Sequence, residues 1–222
     1  MKLVHPEMPY ALLSNEAVCA EWIIENANDF SSYIQEMMKQ CRGEEGRFVL
    51  SQGEKELDFV KGVEVIFDLF SADCNDRRIL NKMYAQLEQL AYGEQFFVQT
   101  QELAQRLQSY VMNLEQETEY ILNVEQSMDF AAIMKALGVK FETLEVTFFE
   151  RLIRYMKLMA SVLKKRLFVL VNARSFLSNE QLEMLMEELK YQDWKILFLE
   201  SCARDCIPGV PRCIMDKDHC II

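Results

Sequence analysis

Two short apolar runs near the C-terminal end of the sequence constrain the fold more than any other feature. They are Leu167–Val171 (LFVLV) and Lys195–Glu200 (KILFLE). A continuous apolar run of this length is typical of a strand that is covered on both faces of its sheet. Between the runs, Ser178 and Gln181 have the spacing of a capping box, which predicts a helix over 181–190. A strand, a helix and a strand in this order predict a parallel pair joined by a right-handed crossover.

The first seventy residues continue this mixed pattern. We predict a helix over 17–40, in which Trp22 and Ile23 are buried, because the apolar residues there recur at helical spacing. We also predict short strands at 47–50 and 63–69. A hairpin formed by 213–215 and 220–222 is expected to close one edge of the sheet.

The middle of the chain is predicted to be helical. Apolar residues at helical spacing predict four helices, at 78–92, 97–122, 128–137 and 145–163. Gly138 follows the third of these helices, where glycine suits a left-handed C-cap. The predicted fold class is therefore α/β. The head is formed by 1–70 and 163–222, and a long helical extension, 71–162, is inserted in it.

The α/β pattern is that of P-loop ATPases, but the residues that bind and hydrolyse a nucleotide are missing. A P-loop needs closely spaced glycines followed by Lys and Ser or Thr, so that backbone amides surround the phosphates. The sequence has no G-x-x-x-x-G-K and no G-x-G-x-x-G. Asn172 follows the strand LFVLV, where an acidic residue would hold magnesium. We predict a P-loop-ATPase-like head that lacks nucleotide-binding motifs and binds no nucleotide.

Other catalytic and metal-binding patterns are weak. The two histidines, His5 and His219, lie near the termini, and no G-x-S-x-G motif is present. The cysteines within 202–220 have C-x₃-C as their tightest spacing, which is one convincing ligand pair where a structural zinc site shows two. We therefore expect a protein that is not an enzyme. A hydrolase with a dispersed site is the weakest of the alternatives.

The cellular location follows from the cysteines and the apolar runs. Seven cysteines without a secretory signal indicate reduced thiols in a cytoplasmic protein. The longest apolar runs are far shorter than a membrane-spanning helix requires, so we expect no membrane partner.

Positive charge is concentrated in one segment of an acidic chain. Residues 135–174 contain nine Lys and Arg against three Glu, a net charge of +6. The whole chain carries −11, so the remainder carries −17. A ligand responds to the local potential more than to the total charge. This segment is either a solvated basic face or a contact surface for phosphates; in DNA it would contact the backbone without reading bases.

Four glutamates lie around the end of the long central helix: Glu115, Glu117, Glu119 and Glu125. Carboxylates that converge from such a segment could bind calcium, which takes several oxygen ligands. The alternative is a solvated helix end, which the sequence by itself favours.

Several local patterns, in the same order, resemble one known family. The run LKKRLFVLVNARSFLSNEQLEMLMEELKYQDWKILFLE is similar to the C-terminal core of the type II-A CRISPR spacer-acquisition protein, the Csn-two family. IMDKD resembles the closing strand of that family, and KALGVKFET and FFERLIRYMKLM resemble its upstream segments. DLFSADCNDRRIL is similar to its D-I-L-G-x-D-V-N-S pattern. The patterns cover 63–80 and 135–222.

The resemblance implies a function. It implies a homotetrameric ring whose lysine-lined hole surrounds double-stranded DNA and loads from free ends during CRISPR spacer acquisition, in antiviral defence. Lys135 and Lys140 fall on the lysines of the family's K-x-L-G-x-K pattern, and Lys164, Lys165 and Arg166 fall on its basic triplet.

The resemblance also implies a cofactor and partners. Calcium stabilises the ring of known members, although the acidic segment is thinner here than in the family pattern. The implied protein partners are the CRISPR integrase proteins and the type II effector nuclease. The alternative function is a catalytically empty ATPase-like scaffold that acts only through protein–protein contacts.

Overall fold

The computed structural model describes residues 1–125, 127–143 and 146–222. The chain folds into two compact units. The first unit comprises Met1–Cys74 and Leu144–Ile222, and the second comprises Asn75–Thr143. The predicted helical extension, 71–162, is longer than the second unit, because the helix at Phe148–Leu163 belongs to the first unit.

Within the described residues, the first unit contains every strand and four α-helices. In chain order they are β1 (Lys2–Val4), β2 (Cys19–Ile24), α1 (Ala27–Cys41), β3 (Val49–Gln52), β4 (Lys55–Glu56), α2 (Phe59–Gly62), β5 (Val63–Ile66), α6 (Phe148–Leu163), β6 (Leu167–Val171), α7 (Asn179–Leu189), β7 (Lys195–Glu200) and β8 (Arg212–Met215). The second unit contains α3 (Arg77–Ala91), α4 (Phe97–Gln116) and α5 (Phe130–Ala136). Among the helices that the structure describes, none is long and apolar enough to cross a membrane.

A parallel five-stranded sheet forms the centre of the first unit. Its strand order is β5-β6-β7-β2-β8, and a separate antiparallel sheet has the order β1-β3-β4. The predicted parallel pair is confirmed, since β6 and β7 are neighbours in register from Leu167 with Lys195 to Val171 with Leu199. At the predicted hairpin, β8 pairs in parallel with β2, and the chain returns to make one antiparallel bridge between Met215 and Ile221.

A cluster of buried apolar side chains covers one face of this sheet. Trp22, Val169 and Leu199 project from it and pack with Met37 of α1 and with the N-terminal segment. Full burial of each such apolar side chain stabilises the fold by about 1.5–3 kcal/mol. Because side chains alternate along a strand, Glu21 and Glu200 project from the opposite face. That placement is the origin of a buried charged cluster, described below.

One predicted element is wrong. The segment predicted as the first half of a helix over 17–40 is β2, which lies between β7 and β8, and the helix begins only at Ala27. Trp22 and Ile23 are buried as predicted, but on a strand. Asn26 ends the extended segment and caps α1, because its side chain accepts from the amides of Asn28 and Asp29.

The remaining predicted helices are present: α4, α5 and α6 are shorter than predicted, whereas α3 and α7 begin one and two residues earlier than predicted. The helix predicted over 145–163 is α6; Glu145 lies outside the described residues, and Thr147 and Glu150 form a capping box at the observed start. The capping box of Ser178 and Gln181 at the start of α7 is confirmed. Gly138 has φ of +67°, as predicted for the residue that follows α5.

Candidate nucleic-acid interface

The basic segment contains cations of two kinds. Within the described residues, five of its nine cations are held by hydrogen bonds or ion pairs: Arg151, Lys157, Lys165, Arg166 and Arg174. The side chains of the other four have no hydrogen bond or ion pair in that part of the chain: Lys135, Lys140, Arg154 and Lys164. Of these four, the three lysines are exposed and Arg154 is half-buried. The three exposed lysines can therefore bind a phosphate without breaking an ion pair.

Lys135 and Lys140 flank the C-terminal end of α5 in the second unit. Lys135 lies in the last turn, with its ammonium 5.8 Å from the ring centroid of Tyr84. Gly138 then turns the chain, donating to the carbonyl of Lys135 at 3.0 Å, while Val139 donates to the carbonyl of Met134 at 3.0 Å. This double hydrogen bond is the Schellman arrangement, and it sets the direction in which the chain continues to Lys140.

The backbone on either side of Lys140 is held by two side chains of the same unit. The Tyr84 hydroxyl donates to the carbonyl of Val139 at 2.7 Å. Asn75 brackets Phe141, because its amide donates to the Phe141 carbonyl at 3.2 Å and its oxygen accepts from the Phe141 N–H at 2.9 Å. Lys140 therefore extends into solvent from a fixed backbone, which lowers the entropy lost when its ammonium binds an anion.

Lys164 ends α6 in the left-handed conformation, with φ of 60° and ψ of 28°. Its N–H donates to the carbonyl of Met159, which satisfies one of the free carbonyls at the helix end. Glycine adopts this conformation without strain, whereas a residue with a Cβ atom loses roughly 1 kcal/mol. A lysine at this position keeps an exposed ammonium at a conformational cost that glycine would avoid.

Lys165 is buried, in contrast to the prediction that it contacts DNA. Its ammonium donates to the carbonyls of Val60 at 2.8 Å and Val63 at 2.6 Å, and lies 3.4 Å from the Glu64 carboxylate. An ammonium has three N–H donors, so these three acceptors use all of them. Lys165 ties α6 to the start of β5, and in this structure no donor remains for a phosphate.

Arg166 is also engaged within the first unit. The guanidinium of Arg166 forms an ion pair with Asp193, and the backbone N–H of Arg166 donates to the carbonyl of Gly62 at 2.8 Å. The side chain is 43% exposed, and its partner is 74% exposed. An exposed pair of this kind contributes little stability, so Arg166 can exchange Asp193 for a phosphate at small cost.

The predicted calcium ligands do not come together. Glu115 lies in the last turn of α4, where its carboxylate accepts from the N–H of Leu122 at 2.9 Å. Glu117, Glu119 and Glu125 are exposed. Among the described residues, no group of three or more His, Cys, Asp or Glu side chains could hold a metal ion. The residues present therefore do not fit a calcium site at these glutamates, or a zinc site at the C-terminal cysteines.

A buried charged cluster, which was not predicted from the sequence, lies on the second face of the sheet. The guanidinium of Arg174 donates to Glu21 at 2.6 Å, and that of Arg212 donates to the other oxygen of Glu21 at 2.6 Å. The Glu200 carboxylate accepts from the N–H of Arg174 at 3.0 Å. Burial and the charge of Glu21 raise the pKa of Glu200 to about 7, against the opposing effects of Arg174 and Arg204.

Asn172, at the position where an ATPase would carry an acidic residue, has a structural role. Its backbone has the left-handed conformation, with φ of 51°. Its side-chain oxygen accepts from both the backbone N–H and the hydroxyl of Ser201 at 2.9 Å. The residue therefore joins the ends of β6 and β7. Aspartate and asparagine tolerate this conformation better than most residues with a side chain, because their short polar groups bond locally.

Comparison with known proteins shows which family the chain is similar to. The sequence model of the CRISPR-associated protein (Cas_Csn2) family matches residues 40–219. The chain belongs to this family. A CRISPR-associated protein Csn2 of Streptococcus agalactiae is 25% identical over 213 residues, which is 95% of this chain and 92% of the relative. A CRISPR-associated protein Csn2 of Enterococcus faecalis is 25% identical over 144 residues, 62% of this chain and 63% of the relative.

A solved structure shows the same fold. The crystal structure of Stu0660 of Streptococcus thermophilus aligns with a TM-score of 0.53 at 12% sequence identity, over 89% of this chain and 68% of that one. The resemblance to the Csn2 family inferred from the sequence patterns is thus confirmed, together with a mixed α/β fold built on a parallel sheet.

Proposed function

We propose that this Csn2-family protein binds double-stranded DNA without reading its sequence, as a tetrameric ring that loads from DNA ends during CRISPR spacer acquisition. The observation that carries the proposal is the set of three exposed lysines without ion-pair partners among the described residues: Lys135, Lys140 and Lys164. They lie in a segment of net charge +6 within a chain of net charge −11.

The chemistry of these side chains supports sequence-independent binding. An ammonium is a compact point charge that attracts any phosphate oxygen and lacks the planar fork with which arginine recognises guanine. Each phosphate that is neutralised releases condensed counterions, and this supplies most of the free energy of non-specific binding. A tetramer would repeat the three lysines four times around one duplex, and a closed ring would need a free DNA end.

The proposed role is not enzymatic. The α/β unit is proposed to be a scaffold related to that of P-loop ATPases, in which Asn172 joins two strand ends and does not hold magnesium. No step of the proposal requires calcium or a nucleotide. The proposed protein partners are the integrase proteins and the effector nuclease of the same CRISPR system, which would use the DNA that the ring holds.

A salt-titrated gel shift with two forms of one DNA tests the proposal. Linear duplex and the same duplex closed into a covalent circle are incubated with the protein between 50 and 200 mM salt, a range over which about six to ten phosphate contacts cost ~10³–10⁵ in affinity. We expect binding to the linear form that weakens steeply with salt, and little retention of the circle. Equal affinity for both forms would exclude loading from ends, and absence of binding to either would exclude the DNA function.

A further inference from the structure

A groove on the first unit has none of the three exposed lysines in its lining. It has a volume of about 640 Å³ and runs between α7 and the loop that follows β7. Leu182, Glu183 and Met186 line it from the helix, and Asp205, Ile207 and Pro208 line it from the loop. Buried Arg174 lies at its inner end.

The loop wall of the groove is anchored by the buried charged cluster. The carbonyl of Asp205 accepts from Arg174 at 2.9 Å and from Arg212 at 3.1 Å. Both guanidinium groups are held in turn by the carboxylate of Glu21, whose side chain is 2% exposed. At the start of the loop, Ser201 is fixed by Asn172. Removing charges from water is costly, so a buried network of this kind is a poor source of stability by itself.

This anchoring gives the groove a fixed shape before any ligand binds. A segment that binds there would not have to order the loop, and the free energy of contact would appear largely as affinity. We therefore infer that the buried charged network serves to position the loop wall of the groove, which is formed by Asp205, Ile207 and Pro208.

The chemistry of the groove selects for one kind of occupant. Its walls are largely apolar, through Leu182, Met186, Ile207 and Pro208. Within the part of the chain that the structure describes, the carboxylates of Glu183 and Asp205 at its rim form no salt bridge, whereas Glu187 is paired with Lys190. Unpaired carboxylates repel phosphates and attract cations.

We propose that this groove binds a short segment of a partner protein in which an apolar side chain is flanked by lysine or arginine. The apolar side chain would fill the space between Met186 and Ile207, and the flanking cations would pair with Glu183 and Asp205. This proposal is independent of DNA binding, because none of the three exposed lysines contributes to the groove.

Fluorescence polarisation with defined peptides tests the proposal on the full chain. The probe is a labelled peptide with Leu-Leu between two Lys-Lys pairs. Two matched peptides replace the leucines with glycines or the lysines with glutamates. We expect the first peptide to bind the protein at least tenfold more tightly than either matched peptide. Equal affinity for the leucine and glycine peptides would show that only charge contributes to binding, and would contradict the proposal that the groove binds an apolar side chain. Absence of binding at millimolar peptide would also contradict it.

Two double variants show whether the rim carboxylates bind the peptide cations. E183Q with D205N removes both rim charges, and E180Q with E54Q removes two exposed charges that do not line the groove. Exposed ion pairs are individually weak, so loss of two of them should weaken peptide binding by the rim variant roughly twofold to thirtyfold. The control variant should bind like the native protein. A loss that is equal in both variants would show that only net charge matters.

Alkylation of the native cysteines locates the bound peptide without mutation. Cys206 lines the groove and is exposed, while Cys220 is exposed and does not line it. Iodoacetamide labelling followed by mass spectrometry measures the rate at each site. We expect the peptide to slow labelling of Cys206 at least threefold and to leave Cys220 unchanged. Equal rates at Cys206 with and without saturating peptide would place the peptide elsewhere and contradict the proposal.

Discussion

Lys164 and Lys165 are consecutive residues whose ammonium groups have opposite environments. Lys164 is exposed and ends α6 with φ of 60°, whereas Lys165 is buried with its ammonium 2.6 Å from the carbonyl of Val63. The change of direction at the left-handed residue separates the two side chains, because the backbone turns between them. The basic triplet is therefore not uniformly exposed, and each of its lysines can be tested alone.

Replacing Lys164 with glycine should stabilise the protein and weaken DNA binding. Glycine removes the Cβ strain of the left-handed position, which raises the free energy of unfolding by about 0.5–1 kcal/mol. The same change removes one exposed ammonium, so affinity for linear duplex should fall several-fold at 0.1 M salt. Urea denaturation and a gel shift measure the two effects.

Lys164→Ala is the matched control for this change. Alanine also removes the ammonium but keeps a Cβ atom at φ of 60°, so affinity should fall equally and stability should not rise. If the glycine variant were no more stable than the alanine variant, the strain assigned to this position would be absent. If both variants bound DNA like the native protein, Lys164 would not contact phosphate.

Replacing Lys165 with methionine should destabilise the fold and leave the DNA affinity of the folded protein unchanged. Methionine keeps the apolar stem but leaves the buried Glu64 carboxylate without its cation. Breaking one partner of a buried pair costs roughly 3–5 kcal/mol. The midpoint of urea denaturation should fall, and binding should be compared at a temperature where the variant is folded. If the variant were stable but bound DNA more weakly, Lys165 would contact the DNA and would belong to the proposed interface.

The fold was predictable where a strand was apolar along most of its length. The bounds of β6 and β7 were predicted to the residue, because a run such as LFVLV fits a buried strand and ends at polar residues. The strand β2 was not predicted, because CAEWII leads directly into a sequence with helical spacing and contains a charged residue. Its pairing with β7 and β8 joins residues more than 170 positions apart, and local periodicity carries no information about such contacts.

The candidate site was predictable only as a concentration of charge. The acceptors that bury Lys165 are more than 100 residues away in the chain, so the sequence could not distinguish it from Lys164. The buried cluster does have a signal in the sequence, since Glu21 and Glu200 are carboxylates within otherwise apolar strands. A charge at such a position requires a buried partner, which here is Arg174.

Replacing Lys135 and Lys140 together with alanine should weaken DNA binding with little change in stability. Both side chains are exposed, and neither forms an ion pair within the described residues. The contact between the Lys135 ammonium and the Tyr84 ring is lost, so the free energy of unfolding should fall by no more than about 1 kcal/mol. If each lysine contacts one phosphate, affinity should fall at least about tenfold at 0.1 M salt and the salt dependence should become shallower. A filter-binding titration at several salt concentrations measures both quantities.

The control for this variant removes two exposed lysines from other elements. Lys55 lies on β4 and Lys82 on α3, and both are exposed. Their replacement by alanine changes the net charge equally and should leave the affinity within about twofold, since charges that do not contact the DNA are screened at 0.1 M salt. An equal loss in both variants would show that DNA responds to net charge and not to the segment around Gly138.

Replacing Glu200 with glutamine should remove a pH dependence of stability. Burial and the nearby Glu21 raise the pKa of Glu200 to about 7 in the folded protein, from an ordinary value of 4.5. The folded state therefore holds the proton more tightly than the unfolded state. Its contribution to stability is fully present below pH 4.5 and is lost as the pH rises through 7. Glutamine stays uncharged, and its oxygen can still accept from the N–H of Arg174.

The difference in unfolding free energy between E200Q and the native protein should therefore grow in favour of the variant from pH 5 to pH 8. Its upper limit is about 3 kcal/mol, because one unit of pKa corresponds to about 1.4 kcal/mol. Urea denaturation at four pH values measures the difference, and taking it against the native protein removes the titration of the other carboxylates. Parallel stability profiles for the two proteins would mean that Glu200 has an ordinary pKa despite its burial.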